Sequence, residues 1–163
     1  MSSTVTLTYT EADVRDGAWC FWKRTVGWHF ILVILVIAVV FSLRLARGDR
    51  SWIVGVMGIT LLFGGCFLYM IYAVHYRNGM ARFRAMGPTQ ATLATDATTI
   101  TFKSAAGSTT VPWNTIAELW RFQRVWLLLF SKAQYVTLPV RCLPAEIQTL
   151  IVDKVKSSGG KIA

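Results

Sequence analysis

The stretch VWLLLFSKAQYVTLP, residues 125–139, contains the most apolar short run outside the N-terminal half of the chain. That run covers residues 125–130, whereas a helix needs about 20 apolar residues to cross the hydrocarbon core of a membrane. Ser131 and Lys132 follow it at once. The run therefore predicts a buried strand. Both faces of this strand are apolar, so we expect both to be covered; one carries Trp126, Leu128 and Phe130, and the other carries Leu127 and Leu129.

Two much longer apolar stretches lie in the N-terminal half. Residues 25–43, TVGWHFILVILVIAVVFSL, and residues 51–76, SWIVGVMGITLLFGGCFLYMIYAVHY, contain no Asp, Glu, Lys or Arg. A helical hairpin buried in a soluble domain is the alternative, but 163 residues are too few to surround one. We therefore predict membrane-spanning helices at 25–43 and 52–76.

The ends of these predicted spans have the residues expected at a membrane surface. Aromatic residues that favour the interface lie there: Trp28, Trp52, Tyr69, Tyr72 and Tyr76. The connection RLARGDR, residues 44–50, is a tight turn, so the sequence predicts an antiparallel hairpin over 25–76 with both chain termini on one side.

Positive charge predicts which side that is. The terminal side carries Arg15, Lys23, Arg24, Arg77, Arg82 and Arg84, and the turn carries Arg44, Arg47 and Arg50. Six against three predicts cytoplasmic termini. Much of the +9 formal charge flanks the predicted spans. We therefore expect five of these cations to meet anionic lipid headgroups or only to set topology, namely Lys23, Arg24, Arg77, Arg82 and Arg84. Nucleic acid is not an expected partner, since no basic and aromatic stripe for stacking bases is present.

The first 24 residues predict a strand at 4–9 and then a juxtamembrane helix. Residues 10–13, TEAD, resemble a capping box, with Thr10 as N-cap and Asp13 in place of the usual glutamate. We expect this helix to continue into the first span. Residues 77–89 are basic and punctuated by Gly79, Gly87 and Pro88, which predicts a linker.

Residues 90–163 predict a small domain of α+β class. Six short β-like runs lie at 91–96, 99–104, 109–113, 116–122, 125–131 and 135–139. A closing helix is predicted over 144–157, with Pro144 at its first position and an apolar stripe of Ile147, Leu150, Ile151 and Val155. A membrane helical hairpin followed by a small antiparallel β-barrel or sandwich, capped by a C-terminal helix, is the predicted fold. The soluble part has the architecture called pleckstrin-homology-like.

The chain resembles the YcxB-like family of bacterial membrane proteins. The residues that carry the resemblance are LTYTEAD at 7–13, VPWNTIAELWRFQRVWLLLFSKAQYVTLPVRCLP at 111–144, and the closing helix. Pro139 and Arg141 match the exit from the family's last strand, although Val140 intervenes where the family has a basic residue directly after proline. The resemblance implies a multi-pass protein of the bacterial cytoplasmic membrane, and it implies no established activity.

The sequence predicts no catalytic, cofactor or metal site. Glu11 and Asp13 are better explained by helix capping than by acid–base catalysis. His29 and His75 fall at the same predicted membrane boundary, with Cys20 nearby, but a metal site would need three or four ligands. We expect these histidines to have their polar tips in the headgroups.

Two further sets of residues are candidate contact surfaces. Four glycines of the second span, Gly55, Gly58, Gly64 and Gly65, predict close packing on the first span, with self-association into a homo-oligomer as the alternative. An edge or groove of the β domain is the candidate partner surface. Its candidate residues are Trp120, Phe122 and Arg124, and the alternative is that Trp120 and Phe122 belong to the core.

We therefore predict a non-enzymatic membrane protein whose cytoplasmic β domain serves protein interaction or scaffolding, with a protein partner of unknown identity. Two alternatives are an immunity protein that blocks a membrane-acting toxin and a factor that binds anionic lipid. The second of these predicts loss of function when Arg77, Arg82 and Arg84 are replaced by glutamine.

Overall fold

The computed structural model of the chain describes residues 3–87, 89–131 and 134–163. Its helices are α1 (Glu11–Val26), α2 (Trp28–Ala46), α3 (Trp52–Ala85) and α4 (Ala145–Ser157). Its strands are β1 (Ser3–Thr8), β2 (Gln90–Thr95), β3 (Thr99–Ser104), β4 (Gly107–Pro112), β5 (Glu118–Arg121), β6 (Val125–Leu129), β7 (Tyr135–Pro139) and β8 (Lys161–Ile162). Two residues named in the sequence analysis lie outside the described residues. These are Pro88 of the predicted linker and Lys132, which follows the apolar run.

The chain divides into two compact units. One consists of the residues through Ala18 together with Arg77–Ala163, and we call it the β unit. The other is Trp19–Tyr76, which we call the helical unit. Helices α1 and α3 therefore contribute residues to both units.

The β unit contains two four-stranded sheets, and in the described residues neither closes into a barrel. The first has the order β1-β2-β3-β4 and is antiparallel throughout. The second has the order β7-β6-β5-β8, in which only the short β8 runs parallel to its neighbour β5. The sequence assigned the first strand to a separate segment, 1–24, but its pairing from Ser3↔Thr95 to Thr8↔Gln90 places β1 in the first sheet.

Strand β6 confirms the prediction made from its apolar run, because all five of its residues are buried. Trp126 and Leu128 belong to the main core, which joins both sheets to α4. The opposite face carries Leu127, which is fully buried and pairs with Thr137 of β7. A Cβ at Gly17 of α1 would lie 2.6 Å from Thr137 Oγ1, so α1 covers this second face.

The closing helix is present as α4, and it is amphipathic as predicted. Ile147, Ile151 and Val155 are buried in the core. Pro144 is the N-cap, with an extended backbone at ψ 150°, and not the first helical residue. After the helix the chain returns to pair β8 with β5, which the sequence did not predict. Gly160 is required there, because a Cβ would lie 2.8 Å from the carbonyl oxygen of Ile116.

The helices depart from the sequence prediction at both ends of the hairpin. Helix α1 ends at Val26 and does not continue into α2, because Gly27 has a φ of 73°. Helix α3 runs to Ala85, so most of the predicted linker, 77–89, is helical. Gly79 is a packing position there, since a Cβ would lie 2.9 Å from Val14, and Met80 is buried.

Helices α2 and α3 pack against each other in opposite directions. A Cβ at Gly58 would lie 3.4 Å from the ring of Phe41, and one at Gly64 would lie 2.8 Å from Cδ1 of Ile34. Gly55 and Gly65, in contrast, have no described heavy atom within 4 Å of such a Cβ. The structure thus divides the four glycines into a pair that faces α2 and a pair that faces open space.

Candidate functional site

The helical unit has an extensive apolar surface. None of the 19 residues of α2 is buried by the described part of the chain. The most apolar windows of α2 and α3 have mean hydropathies of 2.6 and 2.1. Side chains at least half exposed include Val33, Leu35, Val39, Ile59, Leu62 and Phe63. Both helices are long and apolar enough to cross a membrane, and a surface of this kind in water would be an association site.

Aromatic rings join the second half of α1 to α3 within the helical unit. The indole of Trp22 donates a hydrogen bond to the carbonyl oxygen of Leu68, at 2.9 Å. Trp19 stacks on Trp22 with ring centres 5.0 Å apart and meets Tyr72 edge-on at 6.3 Å. Tyr72 stacks on Tyr76 at 5.9 Å. We call Trp19, Trp22, Tyr72 and Tyr76 the aromatic cluster.

The aromatic cluster lies at the end of the hairpin where α2 begins. Because α2 and α3 are antiparallel and Ile34 lies against Gly64, Trp28 is level with Met70, between Leu68 and Tyr72. At the other end, Trp52 begins α3 with 77% of its surface exposed. Amphipathic rings at both ends of an apolar hairpin are the arrangement that a membrane interface favours.

The cations predicted to meet lipid headgroups are all exposed. Lys23 and Arg24 lie in the last turn of α1, which carries half of the aromatic cluster. Arg77, Arg82 and Arg84 lie in the part of α3 that belongs to the β unit. In the turn, Arg44 forms an ion pair with Asp49 at 3.1 Å. The backbone N–H groups of Gly48 and Asp49 donate to the carbonyl oxygens of Leu45 and Arg44 at the end of α2.

The predicted partner surface at Trp120, Phe122 and Arg124 is divided by the structure. Trp120 is only 8% exposed, and its indole donates a hydrogen bond to Glu118 Oε2 at 2.6 Å. Phe122 is half-buried, and its backbone N–H donates to Val125 to close the β5–β6 hairpin. Arg124 is exposed and lies 3.4 Å from Asp16 of α1. The alternative of a core position therefore holds for Trp120, and an exposed patch there would consist of Phe122 and Arg124.

A polar clamp, formed by Asp13 and Arg141, joins α1 to the segment after β7. Arg141 donates to both carboxylate oxygens of Asp13 at 2.6 Å and to the carbonyl oxygen of Thr8 at 2.9 Å. Thr10 completes a capping box, because its N–H donates to Asp13 at 2.7 Å and its hydroxyl accepts from the Asp13 N–H at 3.4 Å. The sequence identified the two halves of the clamp separately and did not predict that they pair.

The contacts within the clamp shift the pKa values of its two charged side chains. Burial would raise the pKa of Asp13, but the hydrogen bonds from Arg141 and Thr10, aided by the Arg141 charge, outweigh it and leave this pKa below its ordinary value. The bonds to Asp13 raise the pKa of Arg141 despite its partial burial. Burial, with the Asp13 charge adding to it, raises the pKa of Tyr9, whose hydroxyl donates to Thr137 at 2.9 Å. Every charge in the clamp has a partner, so it serves to hold α1 on the second sheet.

The residues considered for acid–base or metal chemistry are not brought together as a site. Asp13 is occupied by the clamp, and Glu11 lies in the first turn of α1. The imidazole of His75 packs on Phe21 with ring centres 4.4 Å apart. In residues 3–87, 89–131 and 134–163, no group of three or more His, Cys, Asp and Glu side chains has the arrangement of a metal site.

Comparison with models of known protein families gives a match. The family model described as YcxB-like protein matches residues 96–151, which span β3 to β7 and the first half of α4. The resemblance inferred from the sequence is therefore confirmed for this segment. No curated protein and no solved structure matches the chain significantly.

Proposed function

We propose that the protein is a two-span membrane protein of the bacterial cytoplasmic membrane. Its β unit, in this proposal, has pleckstrin-homology-like architecture and serves as a non-enzymatic interaction module in the cytoplasm. The observation that carries the proposal is the contrast between the two units. The β unit encloses a core of its own, whereas α2 has no buried residue among those described.

Three features support the membrane hairpin. The two helices have sufficient length and hydropathy, they pack antiparallel through Gly58 and Gly64, and aromatic rings lie at both ends. Two four-stranded sheets that share one core with an amphipathic C-terminal helix support the pleckstrin-homology-like architecture. Arginine and lysine are more numerous at the end of the hairpin that leads to the chain termini than in the turn between the two helices, which supports a cytoplasmic β unit.

Cysteine labelling tests the topology. In a variant with Cys20, Cys66 and Cys142 replaced by alanine, one new cysteine is placed at Gly48 in the turn or at Thr109 on β4. A membrane-impermeant maleimide added to intact spheroplasts is expected to label the Gly48→Cys variant, and to label Thr109→Cys only after permeabilisation. The reverse pattern would place the β unit outside the cytoplasm.

Copurification tests the interaction module. Tagged full-length protein is isolated from native membranes in mild detergent, and bound proteins and lipids are identified by mass spectrometry. We expect a stoichiometric protein that is lost from the Phe122→Ala, Arg124→Ala double variant and retained by a matched Arg47→Ala variant in the turn. Far-ultraviolet circular dichroism verifies that each variant is folded.

The lipid hypothesis predicts a different result from the same experiment. Recovery of enriched anionic lipid without any protein would overturn the interaction module. Loss of that lipid on replacing Lys23, Arg24, Arg77, Arg82 and Arg84 by glutamine would then establish a headgroup-binding function.

A further inference from the structure

Strand β4 forms one edge of the first sheet, and it is the most open strand of the β unit. Five of its six residues are exposed, and Val111 is half-buried. At the other edge of the same sheet, β1 is partly covered by the segment after β7. There the carbonyl oxygen of Thr8 accepts from Arg141, and its N–H donates to the sulfur of Cys142 at 3.5 Å.

The register with β3 shows which backbone groups of β4 point outward. The N–H of Trp113 donates to the carbonyl oxygen of Thr98 at 3.1 Å and continues the β3–β4 ladder. Because hydrogen-bonded and non-hydrogen-bonded pairs alternate, Val111, Thr109 and Gly107 bond to β3. The backbone groups of Ser108, Thr110 and Pro112 therefore point away from the sheet, and we call them the β4 edge.

The side chains agree with this alternation. The hydroxyl oxygens of Thr101 and Thr110 lie 2.9 Å apart, as expected of a non-hydrogen-bonded pair, in which facing side chains lie closest. The β4 edge thus presents two N–H donors and three carbonyl acceptors. Within the described ranges, the backbone groups of Ser108 and Thr110 have no hydrogen-bond partner.

The usual protections of an edge strand are almost absent from β4. Natural edges carry charged side chains, proline or bulges that prevent pairing with another strand. The sequence GSTTVP has no charged residue, and its single proline, Pro112, stands at the last position of the strand. Pro112 removes one outward N–H and leaves those of Ser108 and Thr110 available.

We infer that β4 of one molecule pairs antiparallel with β4 of a second copy, joining two first sheets into one. This partner goes beyond the proposed function and does not depend on the membrane topology. The edge is complementary to itself: with Thr109 facing Thr109, or with Thr110 facing Thr110, all four outward N–H groups find a carbonyl acceptor. In both registers, the half-buried Val111 side chains of the two copies lie on the same face of the joined sheet.

Charge and side-chain chemistry favour a second copy over a foreign segment. Pairing β4 with itself brings no like charges together. Lys103 of β3 is the cation that lies opposite β4, at Ser108. Two copies of it would be separated by about 14 Å, more than the screening length of about 8 Å in physiological salt. A foreign partner would need an anchor, and β4 offers none of the Trp, Tyr or Arg side chains that anchor interfaces.

Disulfide crosslinking in native membranes tests this pairing. Single cysteines are placed at Ser108, Thr109, Thr110 and Val111 in the cysteine-free full-length protein, and membranes are oxidised with copper phenanthroline. We expect a covalent dimer, strongest at Thr109 or Thr110 according to the register. Thr6→Cys, an exposed position on the opposite edge of the same sheet, is the matched control and should remain monomeric. Equal crosslinking at Thr6 and Thr109 would overturn the inference.

A charge exchange separates pairing from damage to the fold. In the Thr109→Cys background, Thr110→Asp alone and Thr110→Lys alone should each lose the crosslinked dimer, because like charges then meet. Producing the two variants in the same cell should restore it as a mixed dimer. Crosslinking that is unchanged in either single variant, or not restored in the mixture, would show that β4 does not pair with itself. Neither result alters the copurification test of the interaction module.

Discussion

Strand β6 and helix α2 are almost equally apolar, yet all five residues of β6 are buried and none of the 19 residues of α2 is, within the described chain. The difference lies in their neighbours. The two faces of β6 are met by the core and by α1. Helix α2, in contrast, is apolar on every side and, among the described residues, packs on α3 through Phe41 and Ile34. Apolarity alone therefore does not distinguish a core strand from a membrane segment; length and available partners do.

Truncating one leucine in each region should have very different effects on the free energy of unfolding, although the two regions are similarly apolar. We expect Leu128→Ala in β6 to lower the free energy of unfolding by about 2–5 kcal/mol, because it leaves a cavity in a filled core. Leu35→Ala in α2, where the side chain is 59% exposed, should leave it nearly unchanged. Denaturant titration of both full-length variants in mild detergent, followed by tryptophan fluorescence, makes the comparison. Equal losses would contradict it.

The clamp between Asp13 and Arg141 should have the next largest effect. Replacing Arg141 by methionine leaves a buried carboxylate without its partner, and we expect a loss of about 1–3 kcal/mol, since Arg141 itself is half exposed. Adding Asp13→Asn should recover part of that loss. A double-mutant cycle with additive effects would show that the pair does not interact.

The clamp also predicts a pH dependence. Because the pKa of Asp13 is lower in the folded state than its unfolded value of about 3.9, its stabilisation is complete above that pH and is lost as the pH falls through the folded pKa. Between pH 5 and pH 2, the wild-type protein should therefore lose more stability than the Asp13→Asn variant does. Equal losses of stability in the two proteins over this pH range would refute the role of this carboxylate.

Replacing each of two glycines by alanine should give the smallest difference in the free energy of unfolding. Gly17→Ala brings a methyl group to within 2.6 Å of Thr137 Oγ1, and we expect a loss of about 1 kcal/mol. Thr137→Ala should relieve it. Gly65→Ala in α3 meets no described atom within 4 Å and should be neutral or slightly stabilising. Destabilisation by Gly65→Ala that matches that of Gly17→Ala would indicate an undescribed contact on the hairpin.

Local pattern predicted the elements, but not their distant partners. Strands β2 to β7 and helix α4 follow from alternation and periodicity within a few residues, and they are present. The pairing of β1 with β2 joins residues separated by both apolar helices, which no local pattern specifies. The sequence predicts a linker at Gly79, whereas the structure places it at a helix contact, because glycine at a turn and glycine at a helix contact look alike in sequence.

The same limit applies to the candidate sites. Asp13 was identified as a cap and Arg141 as part of a family pattern, but their contact spans 128 positions and depends on the fold. The spacing of Trp120 and Phe122 along the predicted strand did not reveal which of these side chains is buried. The existence of a protein partner stays a prediction.

Water accessibility in membranes distinguishes a hairpin within the bilayer from a hairpin in water. Single cysteines at Leu35 and Leu62, which are 59% and 64% exposed in the chain itself, are compared with one at Thr109 in sealed and permeabilised membrane vesicles treated with a water-soluble maleimide. For a hairpin within the bilayer we expect Leu35→Cys and Leu62→Cys to remain unlabelled in both preparations, while Thr109→Cys reacts when it has access to the reagent. Labelling of all three at similar rates after permeabilisation would contradict a hairpin within the bilayer.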